Sequence, residues 1–333
     1  MNILIAFAAA AERPVTATQD SLADVATLEQ VKAIEDVLVA EGHGVRRLAL
    51  NIGARERFVK DLLEPRPDIV INLVESVGTD NRGQSYLPAL LELLQIPYTG
   101  AGPASLAVCT DKWMSKGVLA QAGLPVPPGA LVAAGEQLPS HLSYPLFIKP
   151  AYEDASIGID NSAVCVDEAA ALLRLQYVVT HYHTALVEEY IDGREINAAV
   201  SDEAGGHVYP LSEIDMTALP AGIPRIVTFN AKWLEESPEY EQTPGICPAP
   251  LPLDVAERIQ TIALRAYRAL HVRGYARVDC RLTPAGKVYI LEVNANPDVS
   301  TWSGYLRSWK AGGGDYTSFV RYLLDECRNI PKI

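Results

Sequence analysis

Two alternating runs near the C-terminus constrain this chain more than any other stretch: Tyr275–Leu282 and Lys287–Asn294, joined by Thr283-Pro284-Ala285-Gly286. Apolar and polar residues alternating on both sides of a Pro/Gly turn predict a β-hairpin. Pairing Leu282 with Lys287 puts Val278, Cys280, Leu282, Tyr289, Leu291 and Val293 on one apolar face that needs a core. The opposite face carries Arg277, Asp279, Arg281, Glu292 and Asn294, with Val288 and Ile290 between them. In that register Asp279 lies diagonally from Glu292, with backbones about 7–8 Å apart, so both carboxylates and the Asn294 amide reach a common cation. Hard oxygen donors that leave coordination positions open suit a Mg²⁺ that also holds phosphates. Arg277 is a permanent cation suited to steadying developing negative charge. The plainer alternative is a solvated polar face on an edge hairpin. Glu292 and Asn294 argue against it, because their strand is as apolar as a buried one and runs straight into Asn296-Pro297.

The 333 residues leave ample chain for a core and suggest two or three domains. A net charge of −13 argues against an extended basic surface for nucleic acid or an anionic membrane, but not against a local cationic pocket. The five cysteines (109, 165, 247, 280 and 327) are odd in number and form no CxxC pair, which predicts reduced thiols in the cytoplasm. The apolar start, Ile3 to Ala11, lacks a basic leader and meets Glu12-Arg13-Pro14 at once, so it reads as a buried first strand rather than a signal peptide. No run approaches the roughly 20 apolar residues of a membrane span.

Taken in order, Asn2–Phe7, Val45–Leu50 and Asp68–Val74 predict strands, and Leu22–Glu41 and Ser85–Leu94 predict helices. Alternation of that kind predicts a doubly wound parallel α/β domain over residues 1–103, ending at Gly100-Ala-Gly-Pro103. It contains no GxGxxG. Residues 104–191 predict a small α+β lobe: helices at Ala104–Cys109 and Lys112–Ala122, strands at Leu146–Lys149, Ala163–Val166 and Ala185–Tyr190, and a helix at Asp167–Val179. Residues 192–333 predict a larger lobe, with strands at Glu195–Ser201, near Val208 and Ile226, and in the hairpin. Its helices are Asp254–His271 and Tyr316–Arg328.

Four separated stretches match one family in order and approximate spacing: Tyr98-Thr-Gly100 with Thr110-Asp-Lys112, Ile148-Lys-Pro150 with Ser156-Ile-Gly158, Leu186-Val-Glu-Glu-Tyr190 with Glu195, and Arg277-Val-Asp279 with Leu291-Glu-Val-Asn294. The chain resembles the ATP-grasp ligases over nearly its whole length, and among them the D-alanine–D-alanine ligases. The resemblance implies an ATP-grasp fold behind an N-terminal pre-ATP-grasp domain, with ATP and Mg²⁺ (or Mn²⁺) as cofactors. Lys149 and Lys112 would touch the ATP phosphates, and the loop Glu153–Gly158 would close over them, with Ser156 supplying donors. Glu188 and the backbone of Glu189 and Ile191 would meet the adenine, and Glu195 the ribose. Lys232 would reach the terminal phosphates, and Asp279, Glu292 and Asn294 would hold one or two metal ions. Arg277 would stabilise charge at the reacting carboxylate. The activity implied is ligation of a small carboxylate to an amine through an acyl phosphate, behind a lid built from Glu153–Gly158 and the segment around Ala218–Trp233. The family's dimer contact through first-domain helices implies a homodimer.

Departures from the family pattern cluster around the substrate. Ala8–Ala11 stands for a glycine-rich turn, with Glu12 in the place of an acid that holds the first substrate's amine. Ala155-Ser156 replaces paired serines and Trp233 replaces a tyrosine, so a serine and a tyrosine that latch the loops are missing. Val74-Glu75 replaces His-Gly, and Pro297-Asp298-Val299-Ser300 replaces Pro-Gly-Met-Thr. An Asp298 beside an acceptor carboxylate would repel it, at several kcal/mol in a dry site. The expected acceptor is therefore an amine without a nearby carboxylate, or one with an extra positive charge. The alternative, that Asp298 caps the turn through Ser300 and faces away, stands beside it. Genuine D-alanine–D-alanine ligation, phosphoryl transfer to a hydroxyl and a non-catalytic nucleotide-binding module are the competing functions.

Overall fold

Strand β1 (Asn2–Ala8) lies between β2 (Gly44–Leu50) and β3 (Ile69–Leu73) in a parallel sheet of order β2-β1-β3. The computed structural model describes residues 1–9, 17–78 and 80–328. Alternation along β1 sorts its side chains to two covered faces. Ile3 and Ile5 meet Val31, Ile34 and Leu38 of helix α1 (Ala17–Ala40). Leu4 and Ala6 meet Phe58 and Leu62 of α2 (Arg55–Leu63) and Leu87 and Leu91 of α3 (Tyr86–Leu93). The predicted doubly wound parallel sheet is therefore present. The sequence reading passed over α2, although Phe58 and Leu62 stand one helical turn apart.

Next come α4 (Pro103–Thr110) and α5 (Lys112–Gln121), the latter capped by Asp111, which accepts from the backbone N–H of Trp113 at 3.1 Å and Met114 at 2.9 Å. Strands β4 (Gly129–Ala133), β5 (Leu146–Pro150), β6 (Val164–Cys165) and β7 (Thr184–Glu189) form an antiparallel sheet of order β4-β7-β5-β6. Helix α6 (Glu168–Tyr182) covers it with Ala171, Leu175 and Val178. Strand β4 was not anticipated; Gly-Ala-Leu-Val-Ala is too short and too weakly alternating to announce itself.

The largest sheet holds β8 (Arg194–Ser201), β9 (His207–Val208), β10 (Ser212–Ile214), β11 (Gly245–Ile246), β12 (Tyr275–Leu282) and β13 (Val288–Asn294). Its order is β11-β10-β8-β12-β13, with β9 paired to β8. Short helices α7 (Phe229–Trp233) and α8 (Pro238–Glu241) lie between β10 and β11. Helix α9 (Leu253–Ala269) packs Ile259, Ala263 and Ala266 onto Ile196, Val278 and Ile290. Helices α10 (Gly304–Ala311) and α11 (Tyr316–Arg328) follow the hairpin. The strand expected near Ile226 is absent; Pro220 and Pro224 withhold ladder donors, and the segment is irregular.

The hairpin departs from the expected register in an informative way. Leu282 pairs with Val288 rather than Lys287, and Cys280 with Ile290, and then the register shifts so that Asp279 pairs with Glu292. Leu291 is the extra residue of a β-bulge. Val288 and Ile290 consequently enter the core beside Val278 and Cys280, which corrects their expected place on the polar face. The bulge restores the phase, so Val293 is buried while Glu292 and Asn294 keep the face of Asp279. Asp279 thus lies directly opposite Glu292, not diagonally from it. Within the hairpin β12 is interior, paired on its other side with β8, and β13 is the terminal strand of the sheet.

Among the described residues no helix is long and apolar enough to cross a membrane.

Candidate active site

Asp279 and Glu292 face each other across β12 and β13, and Asn294 follows two residues on. The Asp279 carboxylate accepts from Asn197 Nδ2 at 2.7 Å and from Arg277 Nε and Nη2, both at 2.8 Å. Arg277, expected to reach reacting carbonyl chemistry, is thus a bidentate partner of Asp279 while also lining a cavity. Asn294 Oδ1 accepts from the Asn296 N–H at 2.9 Å. Burial by itself would raise the Glu292 pKa, but Lys112, Lys149, Arg277 and Lys232 outweigh it and hold this carboxyl at about 2. Two carboxylates and an amide oxygen in a field of fixed cations form an all-oxygen donor set that fits a hard divalent ion. Among the described residues no group of three or more His, Cys, Asp or Glu could by itself hold a metal ion.

Lys112 joins three elements. Its Nζ donates to Asp154 Oδ1 at 2.6 Å and to the Glu153 carbonyl at 2.8 Å, and lies 3.8 Å from Glu292 Oε2. Burial disfavours its charge, yet Asp154 and Glu292 outweigh that and raise its pKa. One turn further along α5, Lys116 sits 2.8 Å from Glu188 Oε1 and donates to the Leu291 carbonyl at 2.8 Å. The bulge therefore exposes a carbonyl that a buried lysine satisfies. Lys149 Nζ lies 3.3 Å from Glu188 Oε2. Burial would raise the Glu188 pKa, but Lys116 and Lys149 prevail and lower it.

The expected adenine contacts look different in three dimensions. The Glu188 carboxylate is turned to two lysines, and Glu189 Oε1 accepts from the Ser143 N–H at 2.9 Å. Ile191 lies half-buried in the link between β7 and β8. Glu195, the expected ribose ligand, lies 3.0 Å from Arg281 Nη2, and burial raises its pKa against that pairing. Lys116 and Arg281 were both missed as site residues. The spacing of Lys116 four residues after Lys112 was a legible signal, and Arg281 was placed on the right face but given no role.

Two loops close over this cluster. Trp233 Nε1 donates to the Ala155 carbonyl at 2.9 Å, Ser156 Oγ to the Val227 carbonyl at 3.0 Å, and the Phe229 N–H to the Ile159 carbonyl at 2.9 Å. The serine and tyrosine of the family pattern are absent, and in this chain the Trp233 indole and the Ser156 hydroxyl join the two loops. The Ser156 hydroxyl is spent on the same clasp, not held out as a phosphate donor. Ala155 and Ser156 take φ of 56° and 60°, left-handed geometry costing about 1 kcal/mol or more each without glycine. Gly158 has φ of 73°, and a Cβ there would meet Pro150 Cγ at 2.8 Å and the Tyr182 ring at 2.9 Å.

Beside the clasp, a cavity of roughly 140 Å³ is lined by Glu75, Trp233, Lys232, Arg277, Asn294 and Asp298, among others. The Lys232 pKa is lowered by burial and by Arg277. Asp298 accepts from the Ser300 N–H at 2.7 Å and from Ser300 Oγ at 2.9 Å, and it also lines the cavity. Ser300 itself is buried, and its hydroxyl donates to Asp298 and braces that carboxylate. Glu75 is pushed up to about 7 by burial and then by Asp298. Glu12 lies outside the described residues.

The family described as D-ala D-ala ligase C-terminus matches residues 118–325. An uncharacterized protein, y4sG, of Sinorhizobium fredii is 34% identical over 273 residues, covering 81% of this chain and 78% of that one. The D-alanine–D-alanine ligase of Shouchella clausii is 32% identical over 308 residues, 90% of this chain and 77% of its own. Among solved structures, the D-alanine–D-alanine ligase of Bacillus anthracis complexed with ATP superposes with a TM-score of 0.75 at 22% identity, covering 98% of this chain and 97% of that one. The enzyme of the same name from Coxiella burnetii gives a TM-score of 0.72 at 22% identity, over 98% and 93% of the two chains. These two likenesses establish the ATP-grasp fold. The family match spans more than half of the chain, and with the identity to the Shouchella clausii ligase it places this chain in the D-alanine–D-alanine ligase-like family of ATP-grasp proteins.

Proposed function

We propose that this chain is an ATP-dependent carboxylate–amine ligase of the cytoplasm that works through an acyl phosphate and releases ADP and phosphate. The observation that carries the reading is the convergence of Lys112, Lys149, Lys232 and Arg277 on Glu292, with Asp279 opposite it, while Lys232 and Arg277 also line the cavity. Cations gathered around ionised acids match a bound triphosphate better than they match an empty fold. Lys112 and Lys149 bind the phosphates from the smaller sheet and its preceding helix. Asp279, Glu292 and Asn294 hold Mg²⁺, or Mn²⁺, which when bound offsets charge on the transferring phosphoryl group.

The donor carboxylate oxygen bonds to the γ-phosphorus as the bond to ADP breaks. The amine nitrogen then bonds to the acyl carbon, phosphate leaves, and the amine gives up its proton. Lys232 and Arg277 face that chemistry from the cavity wall and steady its oxyanions. The clasp of Trp233 and Ser156 excludes water from an acyl phosphate that would otherwise hydrolyse. Asp298, on the same wall, disfavours an acceptor carboxylate, so the acceptor is an amine other than free D-alanine, either lacking a carboxylate or carrying an extra positive charge.

Hydroxylamine trapping tests the reaction class. A hydroxamate formed with ATP and a donor carboxylate is expected, and ADP formation without hydroxamate would indicate phosphoryl transfer to a hydroxyl instead. Phosphate release across an amine panel tests the acceptor. The competing reading is true D-alanine–D-alanine ligation, the activity named for the 32% identical Shouchella clausii protein, and turnover with D-alanine equal to that of the best amine would establish it.

A further inference from the structure

Gln30 of α1 is only 2% exposed, a buried amide that no part of the proposed chemistry uses. Its Oε1 accepts from the Val299 N–H at 3.2 Å, which leaves the amide nitrogen to donate to Glu75. An amide offers one acceptor and one donor end, so this pairing fixes its orientation. Val299 directly follows Asp298, whose two carboxylate oxygens are locked by Ser300. One buried side chain therefore ties the loop after β3 to the loop after β13 and sets where Glu75 and Asp298 stand relative to each other. Both line the cavity, and Lys232 and Arg277 line it too.

A cavity with two cations and a pair of carboxylates suits a ligand of mixed charge. The reacting centre, where negative charge develops, belongs near Lys232 and Arg277. The carboxylate pair destabilises itself: burial and Asp298 both oppose ionisation of Glu75, and Lys232 only partly offsets them. Such a pair is relieved by a cation supplied from outside the chain.

We propose that Gln30 is a positioning residue that holds Glu75 and Asp298 as a recognition pair for a second cationic group on the amine acceptor, as in a diamine or a basic amino compound. The inference deepens the ligase reading, because it rests on this cavity being the substrate site.

Calorimetric titration of the full chain with ADP and Mg²⁺ present tests it, using 1,4-diaminobutane and butylamine, which share a four-carbon chain, as probes. The wild-type protein is expected to bind the diamine about tenfold tighter or more. Glu75→Gln, which keeps the wall's shape, and Gln30→Met, which removes both hydrogen bonds, are each expected to bring the ratio of the two affinities towards one. Equal affinity for both amines in the wild-type protein would overturn the proposal. So would variants that weaken both amines in parallel, the signature of a purely structural Gln30. A diamine preference in a protein that forms no hydroxamate with any donor would sink the ligase reading and leave the recognition pair standing, so the two fail separately.

Discussion

Around Glu188 a single buried carboxylate is shared by Lys116 and Lys149, and the arrangement is stable only while all three charges remain. Replacing one partner of a buried pair leaves an uncompensated charge, whereas a surface pair is worth little. Lys116→Met is expected to cost about 2–4 kcal/mol in urea unfolding, less than complete exposure of the acid because Lys149 stays. Glu75 presents the opposite case. Its folded-state pKa, about 7, stands above the ordinary 4.5, so the fold's preference for its neutral form stabilises below pH 4.5 and is lost as pH rises through about 7. Glu75→Gln should therefore unfold at higher urea than wild type at pH 8, by roughly 1–3 kcal/mol, with the gap closing towards pH 4. An acid that weakens its own fold is what a recognition role predicts. At this scale the residue types at Lys149, Lys232, Asp279 and Glu292 were legible from motif and strand phase. The partners of Glu188 and Glu195 were not, because Lys116 and Arg281 reach them across elements that sequence spacing does not relate.

Among the elements, the bulge at Leu291 and the clasp of Trp233 do most to shape the site. Alternation alone gave the wrong partner for Leu282, yet Asp279 and Glu292 still share a face, because the shifted turn and the extra residue cancel. The free energy of burying Val288 and Ile290 decides the outer register, and the need to keep the acids out of the core decides the inner one. In the clasp, Trp233→Phe retains the ring and removes the hydrogen bond to Ala155. The loop should open more often and admit water, raising amine-independent phosphate release several-fold, by about 3–10 times for the loss of one hydrogen bond of about 1 kcal/mol. Comparing phosphate release with and without amine in a coupled assay reads this directly; an unchanged ratio would mean that the indole contact does not govern closure. That the Trp233 indole reaches Ala155 could be seen only from the distance across the two loops.

On the scale of the whole molecule, the sheets do not fold apart from one another. Phe319, Val320 and Leu323 of α11 lie in one core cluster with Ile3, Ile5, Ile69 and Ile71, so the last helix covers a face of the first sheet. The junction is drawn tight at Gly274, which has φ of 66° and whose Cβ would stand 2.3 Å from Glu326 Oε2 and 3.0 Å from the Gly100 Cα. Glu326, pushed up to about 8 by burial, accepts the Gly100 N–H at 2.7 Å from α11. Because one of the clashing atoms is backbone, Gly274→Ala has no easy relief and should destabilise by about 3 kcal/mol or more in urea unfolding, combining left-handed strain with overpacking. Gly286→Ala, a left-handed glycine with its nearest neighbour at 3.8 Å, should lose only the strain part.

Local order and chemical type were decided by the sequence by itself: the alternating strands, the amphipathic helices, an acidic hairpin face and a set of lysines in motif order. These follow from side-chain periodicity and charge, which act over a few residues. The tertiary structure alone decided which charges meet, that α11 completes the first sheet, that a bulge delivers Glu292 to Asp279, and that Gln30 ties two distant carboxylates to one wall. Those outcomes depend on packing between segments far apart in the chain, such as Gln30 and Val299 or Ile3 and Phe319, and no local pattern encodes the distance between them.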